Sequence, residues 1–277
     1  MVVFLALLAA LVSGTADYTG GRAATNHSAL KVNFFVHGVS ALLLPVFVAI
    51  IGWDRLHGGD VVLGLVGGVS AGTAYLVFFR ALAAGRMSVI APLAALTTAL
   101  VPLVLDVVDG VSLRGGRWVG IGLALIAIPA LAFRRDVGSG SMSLRQELAY
   151  AVAAGVLFAG FFVSLGHTST DSGQWPVAFA AMGATATMAV LCIARRERLG
   201  RPPKLALLTG LLMVGSGLAI NHALQVGPLG VVTVLGSLYP LATSTLANRF
   251  DHEPIGRINI VGIGAAVAGA ALIAAFR

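Results

Sequence analysis

Ten runs of mostly apolar residues follow one another along the chain, separated by short polar or charged segments. Each run has about the 20 residues that an α-helix needs to cross a bilayer. Backbone groups in hydrocarbon must be paired within the spanning structure, and no alternating strand pattern is present, so the runs predict helices. The predicted spans cover residues 3–23, 32–52, 61–82, 87–107, 116–133, 147–167, 175–194, 204–224, 228–248 and 257–276.

A polar segment near the middle of the chain separates these spans into two groups of five. It runs from Arg134 to Ser143 and is the longest polar stretch, which is typical of a linker. Residues 81–133 and 223–275 are identical at 13 of 53 positions when aligned without gaps. We therefore predict an internal repeat, with a first half at 1–135, a linker at 136–146 and a second half at 147–277.

An odd number of spans in each half gives the two halves opposite orientations in the bilayer. Inverted repeats of this kind are typical of secondary transporters. The predicted fold class is an all-α polytopic membrane protein, whose ten transmembrane helices form two inverted five-helix repeats.

Composition and charge exclude several other classes of protein. Hydrophobic residues make up 58% of the 277 residues and charged residues 10%, whereas about a quarter of an ordinary soluble domain is charged. Too few charges remain to cover a water-facing surface, which argues against a soluble enzyme and against a nucleic-acid partner. The lipid bilayer is the expected partner.

The formal net charge of +7 fits the positive loops of a membrane protein. If the loops after the odd-numbered spans share one side, that side holds 14 of the 18 Lys and Arg residues. We therefore predict a multi-pass protein of the cell membrane, with those loops in the cytoplasm and both termini outside.

A few polar side chains lie deep within the predicted spans. A carboxylate at membrane depth is costly, so Asp17 in span 1 is a candidate functional residue. His37 in span 2 and His222 in span 8 could also move protons, because histidine titrates near neutral pH. We predict these three residues as candidates for proton coupling. Hydrogen bonding within the helix bundle is the structural alternative for each.

Small residues recur at four-residue spacing in two spans. Gly64, Gly68 and Gly72 form such a stripe in span 3, and small residues let helix backbones approach closely. We predict helix packing for it, with a homodimer face as the alternative. The corresponding stripe in span 10 comprises Gly262, Ala266 and Ala270.

Residues 68–72 also match the GxSxG pattern of serine hydrolases. That motif works where a strained strand-to-helix turn exposes the serine, whereas Ser70 lies inside a predicted helix. The lone cysteine, Cys192, excludes an intramolecular disulfide and a cysteine-based zinc site. No metal site or cofactor is predicted.

Several segments together resemble the drug/metabolite transporter superfamily, specifically its ten-helix EamA-like members. They are GTADYTGG at 14–21, FRALAAGRMSVIAPL at 79–93, SLYP at 237–240 and DHEPIGR at 251–257. The glutamate of the last segment is present as Glu253, but Ser13 replaces the tryptophan that the family has before the first-span glycine. The glutamate after span 4 corresponds to Asp109, with Asp106 as the rival position.

This resemblance implies a secondary transporter rather than an enzyme. We expect export of a small-molecule substrate, such as a metabolite, an amino-acid-like solute or a drug, by alternating access around a central cavity. A proton gradient or the gradient of the solute itself would drive it. A membrane-embedded enzyme, such as a rhomboid-like serine hydrolase, and a non-transporting membrane scaffold are the alternatives. Because spans 3, 4 and 9 line the cavity in the family, the expected substrate-binding residues are Tyr75, Thr97, Thr98, Tyr239, Thr243 and Ser244. Hydrogen bonding between helices is the alternative role for these side chains.

Overall fold

A computed structural model describes residues 1–53, 55–84, 87–111, 115–131, 142–251 and 256–276 of the chain. Apart from a short 3-10 turn at Thr170–Ser172, the regular structure of these residues is α-helical. The helices are α1 (Val2–Asn26), α2 (Ala29–Ile51), α3 (Gly58–Ala84), α4 (Met87–Val108), α5 (Gly115–Leu131), α6 (Leu144–Gly166), α7 (Trp175–Ala194), α8 (Lys204–Val226), α9 (Leu229–Gly236), α10 (Pro240–Asp251) and α11 (Arg257–Ala275).

The length and composition of these helices suit a membrane. Eight segments of the described chain are long and apolar enough to span a bilayer, and α9 and α10 together count as one of them. Shorter apolar helices lie at Leu93–Val108 and Gly115–Ala130. The all-α polytopic fold predicted from the sequence is thereby confirmed. Of the predicted linker, residues 136–141 lie outside the described residues, and α6 already begins at Leu144.

The predicted span at 228–248 is present as one candidate span over Leu229–Phe250, but its helix is interrupted between α9 and α10. Pro240 begins α10, and the residue before a proline is disfavoured in helical conformation. Proline also lacks the N–H that would continue the hydrogen-bond ladder of α9. Residues 237–239 therefore form a short non-helical connection within the span.

The helices of the two halves interleave instead of forming two separate bundles. The most extensive contacts join a helix of one half to a helix of the other, as in α3 with α7, α1 with α8, and α5 with α11. If each helix of one half is exchanged for its counterpart in the other, the pair α3 and α6 becomes α8 and α1, and the pair α3 and α7 becomes α8 and α2. The two helices of each of these four pairs pack against each other. The contact pattern therefore has the two-fold symmetry expected of a repeat.

The glycine stripe of α3 packs against α7. A Cβ on Gly64 would lie 2.6 Å from the carbonyl oxygen of Pro176, and one on Gly68 would overlap the carbonyl oxygen of Ala180. These contacts bring the backbones of the two helices together, as small residues permit. The prediction of a helix-packing role for this stripe is therefore confirmed.

The stripe of α11 is buried within the chain too, and α11 packs mainly against α5. A Cβ on Gly269 would lie 2.7 Å from the carbonyl oxygen of Gly120, so these two backbones also touch. The two stripes thus serve packing inside the chain, and neither offers an open face for a homodimer.

Candidate functional site: a cavity between the two repeats

A cavity of about 140 Å³, measured as the space open to the centre of a water molecule, lies within the helix bundle. A single water needs roughly 10–15 Å³ by this measure, so the cavity holds several waters or a small organic molecule. Its wall comes from both repeats, through α1–α4 of the first and α6–α9 with Tyr239 of the second. Such a position between inverted repeats is where secondary transporters bind their substrates.

Asp17 of α1 and His37 of α2 both contribute to the wall of this cavity. The Oδ1 atom of Asp17 and the Nε2 atom of His37 are buried, and neither has a hydrogen-bond partner among the described residues. Tyr75 and Tyr239 lie close enough to Asp17 for an electrostatic interaction. Buried polar groups without partners are uncommon in folded proteins, which makes this cluster a candidate for binding.

A narrow side niche extends the cavity between α1, α2 and α8. It has a volume of about 10 Å³ by the same measure, and Asp17, His37 and Tyr75 line both this niche and the main cavity. Asn33, one helical turn before His37, lines the niche, and its buried Nδ2 group lacks a partner among the described residues. A space of this size is about that of one water molecule.

A row of aromatic rings in mutual contact lines part of the cavity wall. His37 and Tyr75 have their ring centroids 5.6 Å apart, and Tyr75 meets Phe158 edge-on at 4.8 Å. Phe158 in turn meets Phe78 at 5.8 Å. Edge-to-face packing of this kind fixes ring positions. The row therefore gives the cavity a rigid aromatic wall that passes from α2 through α3 to α6.

The cavity hydroxyls mostly serve the backbone of neighbouring helices. Ser40 donates to the carbonyl oxygen of Gly210, and Thr98 donates to those of Ala94 and Gly155. Ser13 and Ser216 share a hydrogen bond between α1 and α8. These groups are satisfied within the protein, so they leave Asp17 and its neighbours as the main polar feature open to a solute.

The break between α9 and α10 lies directly at the cavity. Gly236, Ser237 and Tyr239 all contribute to the wall, and the buried hydroxyl of Ser237 has no partner among the described residues. Gly14 of α1 packs against this break, because a Cβ there would overlap the carbonyl oxygen of Tyr239. The proline-induced break thus places Tyr239 in the wall, close to Asp17.

Three of the expected site residues, Thr97, Thr243 and His222, lie outside the cavity wall. Thr97 faces Gly155 of α6, because a Cβ added to Gly155 would lie 2.5 Å from the Cβ of Thr97. Thr243 donates to the carbonyl oxygen of Gly14 and ties α10 to α1. His222 is half-buried on α8, outside the cavity wall. The side chain of Ser244 lies outside the described residues.

The sequence did not predict several residues that line the cavity or its side niche. Asn33, His37 and Ser40 share one face of α2, since they are four and three residues apart, and this polar stripe could have pointed to Asn33. Phe158, Phe161 and Phe162 carry no comparable signal. A phenylalanine in an apolar span has the same pattern whether it faces lipid or a cavity.

Two other predicted features acquire structural roles. Ser70 of the GxSxG match sits within the continuous helix α3 and donates to the carbonyl oxygen of Leu157 at 2.7 Å, so the strained turn of a hydrolase is not formed there. Asp106, the rival to Asp109, accepts a hydrogen bond from the N–H of Gly230 in the first turn of α9 at 2.6 Å. Among the described residues, no group of three or more His, Cys, Asp or Glu side chains could hold a metal ion.

The model of the EamA-like transporter family matches the chain twice, at residues 1–132 and 146–275. The chain belongs to the EamA-like transporter family. Its members are transporters, so the match agrees with the two-repeat architecture and with a transport function. A solved crystal structure of a protein shares this fold with a TM-score of 0.72 and 16% sequence identity, over 96% of this chain and 98% of that one. No curated protein matches the chain.

Proposed function

We propose that this EamA-like protein is a secondary transporter of the cell membrane, which exports a small organic solute through the central cavity. The observation that carries the proposal is the position of the cavity, whose wall is shared by both repeats. A rocking of one repeat against the other would open it to each side of the membrane in turn. A non-transporting scaffold would have no need of such a cavity.

Asp17 is the proposed proton carrier of this cycle. Its carboxyl group lies in the cavity wall, with a buried oxygen atom unpaired among the described residues. An ionisable group at membrane depth marks a proton or ion pathway by default. As the cavity turns from one side to the other, the carboxyl group would bind a proton on one side and release it on the other. His37, which faces the same cavity, is the second candidate for the relay.

The hydrolase alternative receives no support from the geometry around its only motif. The hydroxyl of Ser70 is already engaged by the backbone of α6. A nucleophilic serine would instead need a base within hydrogen-bonding distance and a turn that exposes it. Transport thus remains the proposal.

Filling the cavity tests this proposal. Ala181 of α7 lies in the wall, so Ala181→Phe should place a ring where the solute binds. Val190, on the same helix, is 62% exposed and faces away from the core, which makes Val190→Phe the matched control. Purified protein would be reconstituted in liposomes that contain a pH-sensitive dye, and amines, amino acids and carboxylates would be added in turn.

We expect at least one solute class to drive a proton flux with the original protein and with Val190→Phe, and a loss of at least about tenfold with Ala181→Phe. Empty liposomes give the background. If Ala181→Phe folds and transports as well as Val190→Phe, the cavity is not the transport site.

A further inference from the structure

Among the described residues, the cavity wall carries one acidic side chain and no fixed positive charge to balance it. Asp17 is the one acidic residue among the described residues of the wall, and no Lys or Arg belongs to that set. The remaining titratable groups there are His37, Tyr75 and Tyr239. Burial of a carboxylate without a partner is costly, so a positively charged solute would supply the missing partner.

The helix break adds negative potential at the same place. α9 ends at Gly236, in the cavity wall, and the carboxyl end of a helix carries partial negative charge. The amino end of α10 would favour an anion, but its first N–H groups are occupied. Leu241 donates to the carbonyl oxygen of Leu238, and Ala242 donates to that of Tyr239. The carboxyl end of α9 thus favours a cation, while the paired N–H groups of α10 are not free to bind an anion.

Much of the remaining cavity wall is apolar and aromatic. Phe158, Phe161 and Phe162 of α6 line it, together with alanines of α7. α6 packs on α3 and α4, whereas Asp17 belongs to α1, which packs on α8 and α10. Tyr75 lies beside Asp17 and meets Phe158 edge-on at 4.8 Å, so the carboxylate and the phenylalanines of α6 line the same cavity. Aromatic faces also attract cations, so Tyr75 and Tyr239 beside Asp17 suit a positively charged head group.

We propose that the transported solute is an amphipathic organic cation, whose ammonium group pairs with Asp17 and whose apolar body packs against the phenylalanines of α6. This inference rests on the proposed transport function, because it names the substrate class of the same cavity. An anionic solute would meet the carboxylate and the carboxyl end of α9 without a fixed positive partner among the described wall residues.

Calorimetric titration of the purified full-length protein in detergent tests the charge preference directly. The probes are 2-phenylethylamine, which is a cation at pH 7, 3-phenylpropionamide, which is neutral, and 3-phenylpropionate, which is an anion. All three carry the same ring on a two-carbon chain. A charged hydrogen-bonded pair is worth about tenfold in affinity or more, so we expect the amine to have a Kd at least about tenfold below that of the amide. The carboxylate should bind most weakly.

Variants assign the preference to one residue. Asp17→Asn should raise the Kd of the amine about tenfold and change that of the amide by less than about twofold. Asp17→Glu should keep the preference for the amine. Asp171→Asn removes an exposed carboxylate outside the cavity and should leave all three affinities unchanged.

The inference is overturned if the amide or the carboxylate binds the original protein as tightly as the amine does, or if none of the probes binds. It is also overturned if a folded Asp17→Asn binds the amine as well as the original. Should Asp17→Asn not fold, the ranking of the probes on the original protein decides. Binding is measured without transport, so an amine that binds but is not carried contradicts the transport proposal and leaves the charge preference supported.

Discussion

Replacing Gly68 with alanine would test how closely α3 and α7 pack. A Cβ at this position would overlap the carbonyl oxygen of Ala180 and lie 2.8 Å from its Cα, where ordinary contact begins at 3.4 Å. The helices would have to separate by at least about 0.6 Å, and because the obstacle is backbone the cost lies in the upper part of the range for overpacking, roughly 2–3 kcal/mol. Because alanine returns about 1 kcal/mol of helix propensity, we expect the free energy of unfolding to fall by roughly 1–2 kcal/mol.

Two other glycines calibrate this expectation. A Cβ on Gly72 would lie 3.2 Å from the Cα of Ala184, so Gly72→Ala should cost less than Gly68→Ala. A Cβ on Gly122, in α5, would meet nothing within 4 Å, so Gly122→Ala should be neutral or stabilise by up to about 1 kcal/mol.

The assay is the thermal unfolding of each purified variant in the same detergent. The midpoint temperatures should rank Gly122→Ala highest and Gly68→Ala lowest, and Gly68→Leu should further reduce the yield of folded protein. If Gly68→Ala melts at the temperature of the original protein, the backbones of α3 and α7 are not in contact and the packing argument fails.

Three further predictions concern coupling, capping and orientation. Asp17→Asn should abolish solute transport driven by an imposed pH gradient in proteoliposomes, whereas Asp171→Asn should retain it; sustained transport by Asp17→Asn would remove Asp17 as the proton carrier. Asp106→Ala should lower the free energy of unfolding by about 1–2 kcal/mol in chemical denaturation, because α9 loses its cap, while the exposed Asp109→Ala should have little effect. A phosphatase fused after Arg277 should be active, since both termini are predicted outside, and a fluorescent cytoplasmic reporter there would contradict that orientation.

The positions of the spans could be predicted closely because the bilayer itself dictates them. A helix must carry enough apolar residues to cross the hydrocarbon, and that requirement is visible in the sequence without knowledge of any contact. The break before Pro240 also had a local signal, because proline disfavours helix at the preceding residue. The apolar character of the run outweighed that signal, and the predicted helix therefore continued through it.

Two signals pointed to residues of the cavity wall: the family resemblance, for Tyr75, Thr98 and Tyr239, and polar residues that are unusual for their surroundings. Asp17 and His37 stand out in apolar spans, and both lie in the cavity wall. Thr97 and Thr98 show the limit of this reasoning. Adjacent residues point about 100° apart on a helix, so Thr98 reaches the wall while Thr97 meets α6. The rotation of a helix about its axis depends on its neighbours, which a single sequence does not specify.

The chain combines a symmetric arrangement of helices with an asymmetric cavity. Two-fold symmetry relates α1 to α6, yet α1 brings Asp17 to the wall and α6 brings phenylalanines. Equivalent halves can exchange their conformations, and alternating access needs this to present the site to both sides of the membrane. A symmetric cavity would bind a solute in two opposite orientations. For the proposed solute, the unequal chemistry of α1 and α6 would select one orientation. Its head group would stay at the same carboxylate while the two repeats exchange their conformations.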